Sequence, residues 1–199
     1  MTGEERRQQL LDVARALFAE KGLDGASVEE IAHRADVSKP VVYEHFGGKE
    51  GVYAVVVDRE MQYLLAKMTS ALAEEAHPRL LLERAAFALL DYVEEHADGF
   101  RILVRASPVA SATGTFSSLL NDIASQVEDI LGRQFSSRGY DPKLAALYSQ
   151  ALVGMVALTG QWWLDSRRPR KEDVAAHLVN LSWNGLSHLE SVPALREAH

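Results

Sequence analysis

The run Ser27-Val28-Glu29-Glu30-Ile31-Ala32-His33-Arg34-Ala35-Asp36-Val37-Ser38-Lys39-Pro40-Val41-Val42-Tyr43-Glu44-His45-Phe46-Gly47-Gly48-Lys49-Glu50 says most about this chain. Ser27-x-x-Glu30 has the spacing of a capping box, in which the hydroxyl and the carboxylate satisfy two orphan amides at a helix start. The helix it opens turns Val28, Ile31, Ala32 and Ala35 inward. Asp36-Val37 makes a tight turn. Ser38 then caps a second short helix, with Pro40 tolerated in its first turn, and Gly47-Gly48 ends it. Val42 and Phe46, at i and i+4, pack inward with Ile31 and Val37. Pro40, Val41 and Glu44 are left on the opposite face beside Lys39 and Tyr43. Two short helices joined by a tight turn form a helix-turn-helix. An outer face bearing Val, Pro and Tyr suits a DNA major groove better than bare solvent. There Val41 meets a thymine methyl, Glu44 accepts from a cytosine amino group, and Lys39 reaches a guanine edge or a phosphate.

Outward from this run the pattern stays helical. Upstream, Thr2-x-x-Glu5 fits a capping box. Leu10, Val13, Ala14, Leu17 and Phe18 recur at helical spacing over about Gly3 to Lys21, and Gly22 ends that helix. Downstream, a long fourth helix runs from near Lys49 to about Glu75. Further helices are expected at about Arg79–Ala97, Gly99–Arg105, up to Ser136, from Asp141-Pro142 to Leu164, and up to Glu190. Ser107 to Thr115 reads as a loop, and Arg167 to Arg170 as a turn. No period-2 strand stands out. The fold expected is all-α with about nine helices. Residues 1–48 are expected to form a three-helix domain carrying the helix-turn-helix, and residues 49–199 a helical bundle.

The run Ala26 to Glu50, with its ending Tyr43-x-His45-Phe46-x-x-Lys49-Glu50, closely resembles the DNA-binding domain of TetR-type transcriptional regulators. The resemblance covers about residues 5–55. It implies that Ser27, Lys39, Tyr43, His45 and Lys49 contact phosphates, and that Lys39, Pro40, Val41 and Glu44 face bases. With Ser38 at the helix start, these make up the candidate DNA-binding set. Two positions depart from the family pattern. Val41 stands where Thr or Ala is common, and Gly48 where a polar residue often caps the fourth helix.

Composition narrows the alternatives. Among 199 residues, 47% are hydrophobic and 25% charged, which suits a packed globular core. The net charge is −7, and residues 1–50 alone hold seven Lys/Arg against ten Asp/Glu. Phosphate neutralisation needs cations, so non-specific DNA binding should be weak and salt-sensitive. The chain has no cysteine, which excludes disulfides and thiolate metal sites. The seven histidines are scattered, and no His-Glu-x-x-His or Gly-x-Ser-x-Gly occurs. Gly47-Gly48-Lys49-Glu50 fails as a phosphate loop, because Tyr43 stands where the first Gly is needed and Glu50 where Ser or Thr must be. No cofactor, metal site or enzymatic activity is expected. Without a spanning apolar run or a signal peptide, the expected setting is the cytoplasm, with no membrane partner. The competing reading is a helical small-molecule or partner-binding protein that has lost DNA binding.

A helix-turn-helix usually reads a palindrome as a two-fold dimer, with half-sites about one helical turn apart. The last two long helices suit the interface. They carry Leu144, Leu147, Ala151, Gly154, Met155, Leu158 and Trp162 on one, and Val174, Leu178, Leu181, Gly185 and Leu189 on the other. The resemblance also places the dimer there, as a four-helix bundle. A ligand pocket is expected between the fourth helix and the three that follow it. Met61, Leu64, Leu65, Phe87, Leu90, Leu103, Phe116, Leu120 and Trp162 would line it, with polar contacts from Tyr92, Arg101, Asn121 and Gln161. The family mechanism implied is ligand-released repression of a palindromic operator.

Overall fold

A computed structural model describes residues 2–105 and 114–195. Among the described residues it is all-helical, with nine α-helices and one short 3-10 turn. They are α1 (Gly3–Gly25), α2 (Val28–Arg34), α3 (Lys39–Phe46), α4 (Lys49–Ala73), α5 (Pro78–Glu95), α6 (Ala97–Arg105), α7 (Phe116–Arg138), α8 (Ala145–Ser166) and α9 (Lys171–Ser187). The 3-10 turn, Pro142–Leu144, runs directly into α8. Asp141 caps it by accepting from the Lys143 amide at 3.0 Å. Most of the loop expected at Ser107 to Thr115 lies outside the described residues.

Local chemistry explains the helix ends. The Thr2 hydroxyl accepts from the Glu5 amide at 3.2 Å, and the Glu5 carboxylate accepts from the Thr2 amide at 2.6 Å, completing the expected capping box. α1 is broken at Gly22, whose φ of +73° no helix interior allows. At α2 only half of the expected box forms. Ser27 accepts from the Glu30 amide at 3.2 Å, but the Glu30 carboxylate turns instead to Lys21 at 2.7 Å and Arg34 at 3.1 Å. Two nearby cations outbid one neutral amide for an ionised acceptor. α2 closes through Val37 N–H to Ala32 O at 3.0 Å and Asp36 N–H to His33 O at 3.2 Å. That double closure has a left-handed residue at its turn, filled here by Asp36 at φ +53°.

The chain divides into two compact units, Met1–Leu65 with Tyr92–Leu119, and Ala66–Asp91 with Leu120–His199. In the first, Leu10, Ala14, Leu17 and Phe18 of α1 are buried with Ile31, Val42 and Val52. Phe18 meets Tyr53 edge-on at 5.0 Å, and Arg105 of α6 donates to the Ala19 carbonyl at 3.3 Å. In the second, Leu131, Phe135 and Ala145 form a core covered by Val127, Tyr140, Tyr148, Leu152 and Leu186. Lys171 pairs with Asp91 at 2.8 Å.

α8 corrects one expectation. With its leading turn, it is long and apolar enough to cross a membrane by length and composition, yet only 28% of its most apolar stretch is buried.

Candidate nucleic-acid interface

Two helices, α1 and α4, hold the recognition surface from behind. Arg7 of α1 donates to the His45 carbonyl at 2.9 Å, and its guanidinium lies 4.4 Å from the centre of the Phe46 ring. Gln9 donates to the Ala35 carbonyl at 3.1 Å. α1 thereby grips the C-terminal ends of both α2 and α3. From the other side α4 starts hard against α3. A Cβ built on Gly51 would lie 1.8 Å from the Phe46 carbonyl oxygen, so only glycine permits this approach. Between the two helices Gly47 takes the left-handed conformation, at φ +74°, and its amide closes on Tyr43 O at 2.8 Å.

On this frame α3 buries Val42 and turns Lys39, Pro40, Tyr43 and Glu44 to solvent, with Val41 and His45 half-buried. Tyr43 is 54% exposed, a large ring with most of its apolar surface in water. Ser38 is exposed and stands at the α3 start with an extended backbone, but its side chain makes no capping bond. Ser27 is half-buried, and its oxygen is occupied as the α2 cap. The nine expected residues therefore sit on one motif but have different employments.

Two of the cations are already engaged. Lys49 points inward, donating to the Leu23 carbonyl at 3.1 Å and the Ala26 carbonyl at 3.2 Å. The residue expected as a phosphate clamp thus has its ammonium occupied by two backbone carbonyls around the end of α1. Lys39 pairs with Glu29 across the turn. The Lys39 hydrogen bond, first, and its charge hold the Glu29 carboxyl below the usual carboxylate range. Glu30 is lowered likewise, chiefly by its bond from Lys21. Sequence reasoning missed Arg7, Gln9, Glu29 and Gly51. Their partners lie at sequence distances that no helical period reveals.

The expected ligand set divides between the two units. Met61, Leu64, Tyr92 and Leu103 are buried in the first, where Leu65, Arg101 and Phe116 are half-buried. Leu64, Leu90 and Leu103 have no exposed surface and serve as core. The Tyr92 hydroxyl, expected as a polar ligand contact, donates to Glu60 at 2.7 Å. Burial first, then the neighbouring Glu60 charge, pushes that phenol's pKa up, so it stays a donor. In the second unit Leu120 and Gln161 are half-buried, and Asn121 is exposed and bonded to Gln150 at 3.3 Å. Phe87 lines a surface groove of about 430 Å³ with Lys67, Leu80 and Arg84.

The expected interface set also divides. Val174 and Leu178 are buried in their own chain, and Leu144 and Leu189 pack on the Phe135 cluster. Val174 and Leu178 thus have little surface left to offer a partner, while Leu144 and Leu189 are half-buried. Leu147, Leu158 and Leu181 remain 64%, 65% and 64% exposed, and Trp162, expected in the pocket, is 57% exposed in line with them. Ala151 and Gly185 are exposed on the same two helices, and Gly154 and Met155 half-buried. A Cβ on Gly154 or Gly185 would meet nothing within 4 Å.

A helix-turn-helix with its outer face clear, attached to a larger helical body, defines a DNA-binding regulator of transcription. Residues 10–56 match the family described as bacterial regulatory proteins, tetR family, and residues 78–185 match the tetracyclin repressor-like C-terminal domain. The chain belongs to the TetR family. It is 32% identical to the HTH-type transcriptional activator FasR of Mycolicibacterium smegmatis, over 94% of this chain and 85% of that one. It is 30% identical to the HTH-type transcriptional repressor Rv3405c of Mycobacterium tuberculosis, over 75% of this chain and 70% of that one. Among solved structures it is similar to the TetR family regulator PfmR of Thermus thermophilus, at 28% identity and a TM-score of 0.71, covering 89% of this chain and 98% of that chain.

Proposed function

We propose that the chain is a cytoplasmic, homodimeric repressor. Residues 1–48 read each half of a palindromic operator through α3, and residues 49–199 respond to a small hydrophobic effector that releases the DNA. The exposed α3 face supports this most directly. Pro40, Tyr43 and Glu44 stand in water over a buried Val42, and Tyr43 gains a partner for its ring and hydroxyl only when a duplex covers it. Of the expected set, Ser27, Ser38, Lys39, Tyr43 and His45 fit phosphate contacts, and Pro40, Val41 and Glu44, with Lys39 where it reaches inward, fit base edges. The interface is formed by the outer stripe Leu147, Ala151, Gly154, Met155, Leu158, Trp162, Leu181 and Gly185. Burying one large apolar side chain contributes about 1.5–3 kcal/mol, so three leucines and a tryptophan from each chain supply the apolar core of such an interface, offset by the cost of bringing two chains together.

Selection of random DNA by the full chain at near-physiological salt, followed by sequencing, tests this proposal. A Tyr43→Ala, Lys39→Ala variant is run alongside. An enriched palindrome that the variant loses supports operator reading. No enrichment even at low salt sinks it in favour of a helical binding protein without DNA. The ten acidic residues among the first 50 favour that alternative. A ligand that binds without changing operator affinity would remove effector release.

A further inference from the structure

Glu60, in the middle of α4, is a charged side chain with only 6% of its surface exposed. Its carboxylate meets three other helices. Oε1 accepts from Arg15 Nη1 of α1 at 3.2 Å, and Oε2 accepts from the Tyr92 hydroxyl of α5 at 2.7 Å. His96 Nδ1, just past α5, lies 3.7 Å from Oε2. Gly99 of α6 is packed so closely that a Cβ there would come within 2.1 Å of Oε2. All these residues belong to the first compact unit.

A buried carboxylate is tolerated only while its donors stay in place, and removing one donor leaves the charge poorly compensated. One side chain therefore makes the position of α1 depend on those of α5 and α6. α1 is also the helix whose Arg7 and Gln9 hold the ends of α3 and α2. We propose that Glu60 is a positioning residue for operator binding: through its carboxylate, α5 and α6 set the placement of α1 and with it the recognition helix. The link to the operator rests on the regulator reading above; the tie between helices does not.

Hydrogen exchange of the full chain without DNA reads the tie directly, and operator affinity reads its consequence. Tyr92→Phe removes one hydroxyl from α5, and exchange of α1 amides around Arg15 should rise several-fold. Arg15→Met, made at the more exposed end, gives the reciprocal reading: amides around Tyr92 should exchange faster, as linkage demands. Each variant should bind the selected operator about tenfold more weakly, and the double variant little worse than either, because both act on one carboxylate. Gly99→Ala, which displaces the carboxylate, should act in the same direction. Exchange changes confined to the mutated helix, with affinity within about twofold of the parent, would overturn the proposal. If the parent chain selects no operator, the regulator reading falls, and the exchange result alone decides whether Glu60 ties the helices.

Discussion

Lys49 donates to the Leu23 and Ala26 carbonyls around the end of α1, and the consequence is separable from any DNA contact. Leaving buried carbonyls without a donor costs about 1–3 kcal/mol. Lys49→Met should therefore lower the urea midpoint by an amount in that range. If it lowers operator affinity while the midpoint stays put, the side chain clamps phosphate instead. Gly51→Ala sets main chain against main chain, a clash that no rotamer relieves. It should destabilise the chain by about 1–3 kcal/mol, seen in the same unfolding curve. The sequence could not show either role. Lys49 lies in a motif whose family resemblance suggests phosphate, and its partners in the structure are backbone atoms more than twenty residues away. Gly51 looks like an indifferent residue in a first turn until α3 is placed beside it.

At the scale of elements, α2 and α3 are joined by charge as well as by their turn. Lys39 must leave Glu29 to reach a phosphate. In Glu29→Gln it is already free, so operator binding should tighten, whereas Lys39→Ala removes one cation from the DNA and should flatten the slope of log K against log salt by about 0.9, one phosphate's worth. Anisotropy titrations across a salt series check this, and an unchanged slope would show that Lys39 stays off the DNA. The same carboxylates set an acid limit. Glu29 and Glu30 are held below their ordinary value of 4.5. Their stabilisation is whole above that value and is lost as pH falls through the lowered ones. Below about pH 4.5 the denaturation midpoint should therefore decline less steeply in Glu30→Gln than in the parent chain. The helices themselves were legible, because apolar periodicity, Ser and Thr caps and terminal glycines are local signals. The fate of the Glu30 carboxylate was not, since Lys21 and Arg34 compete for it only after α1 and α2 have packed.

For the molecule as a whole, the decisive surface is the apolar stripe of α8 and α9. Leu158→Glu places a charge where the proposed partner's leucines would lie. Sedimentation should shift from dimer to monomer, with operator affinity falling at least 100-fold as the second half-site is lost. A monomeric parent chain would refute the interface. The stripe was only half legible from sequence. Helical spacing put Leu147, Leu158, Val174 and Leu178 into one set, and only the packed chain separates the first pair, left in water, from the second, consumed inside. Periodicity gives a face but not the neighbour it meets. The contact of Gly51 with the Phe46 carbonyl matters at this scale too. With no side chain between them to flex, α3 and the start of α4 form a joint without backlash. A rotation of the start of α4 would therefore turn α3 with it, and on the operator reading proposed above a small displacement would change how α3 meets the groove.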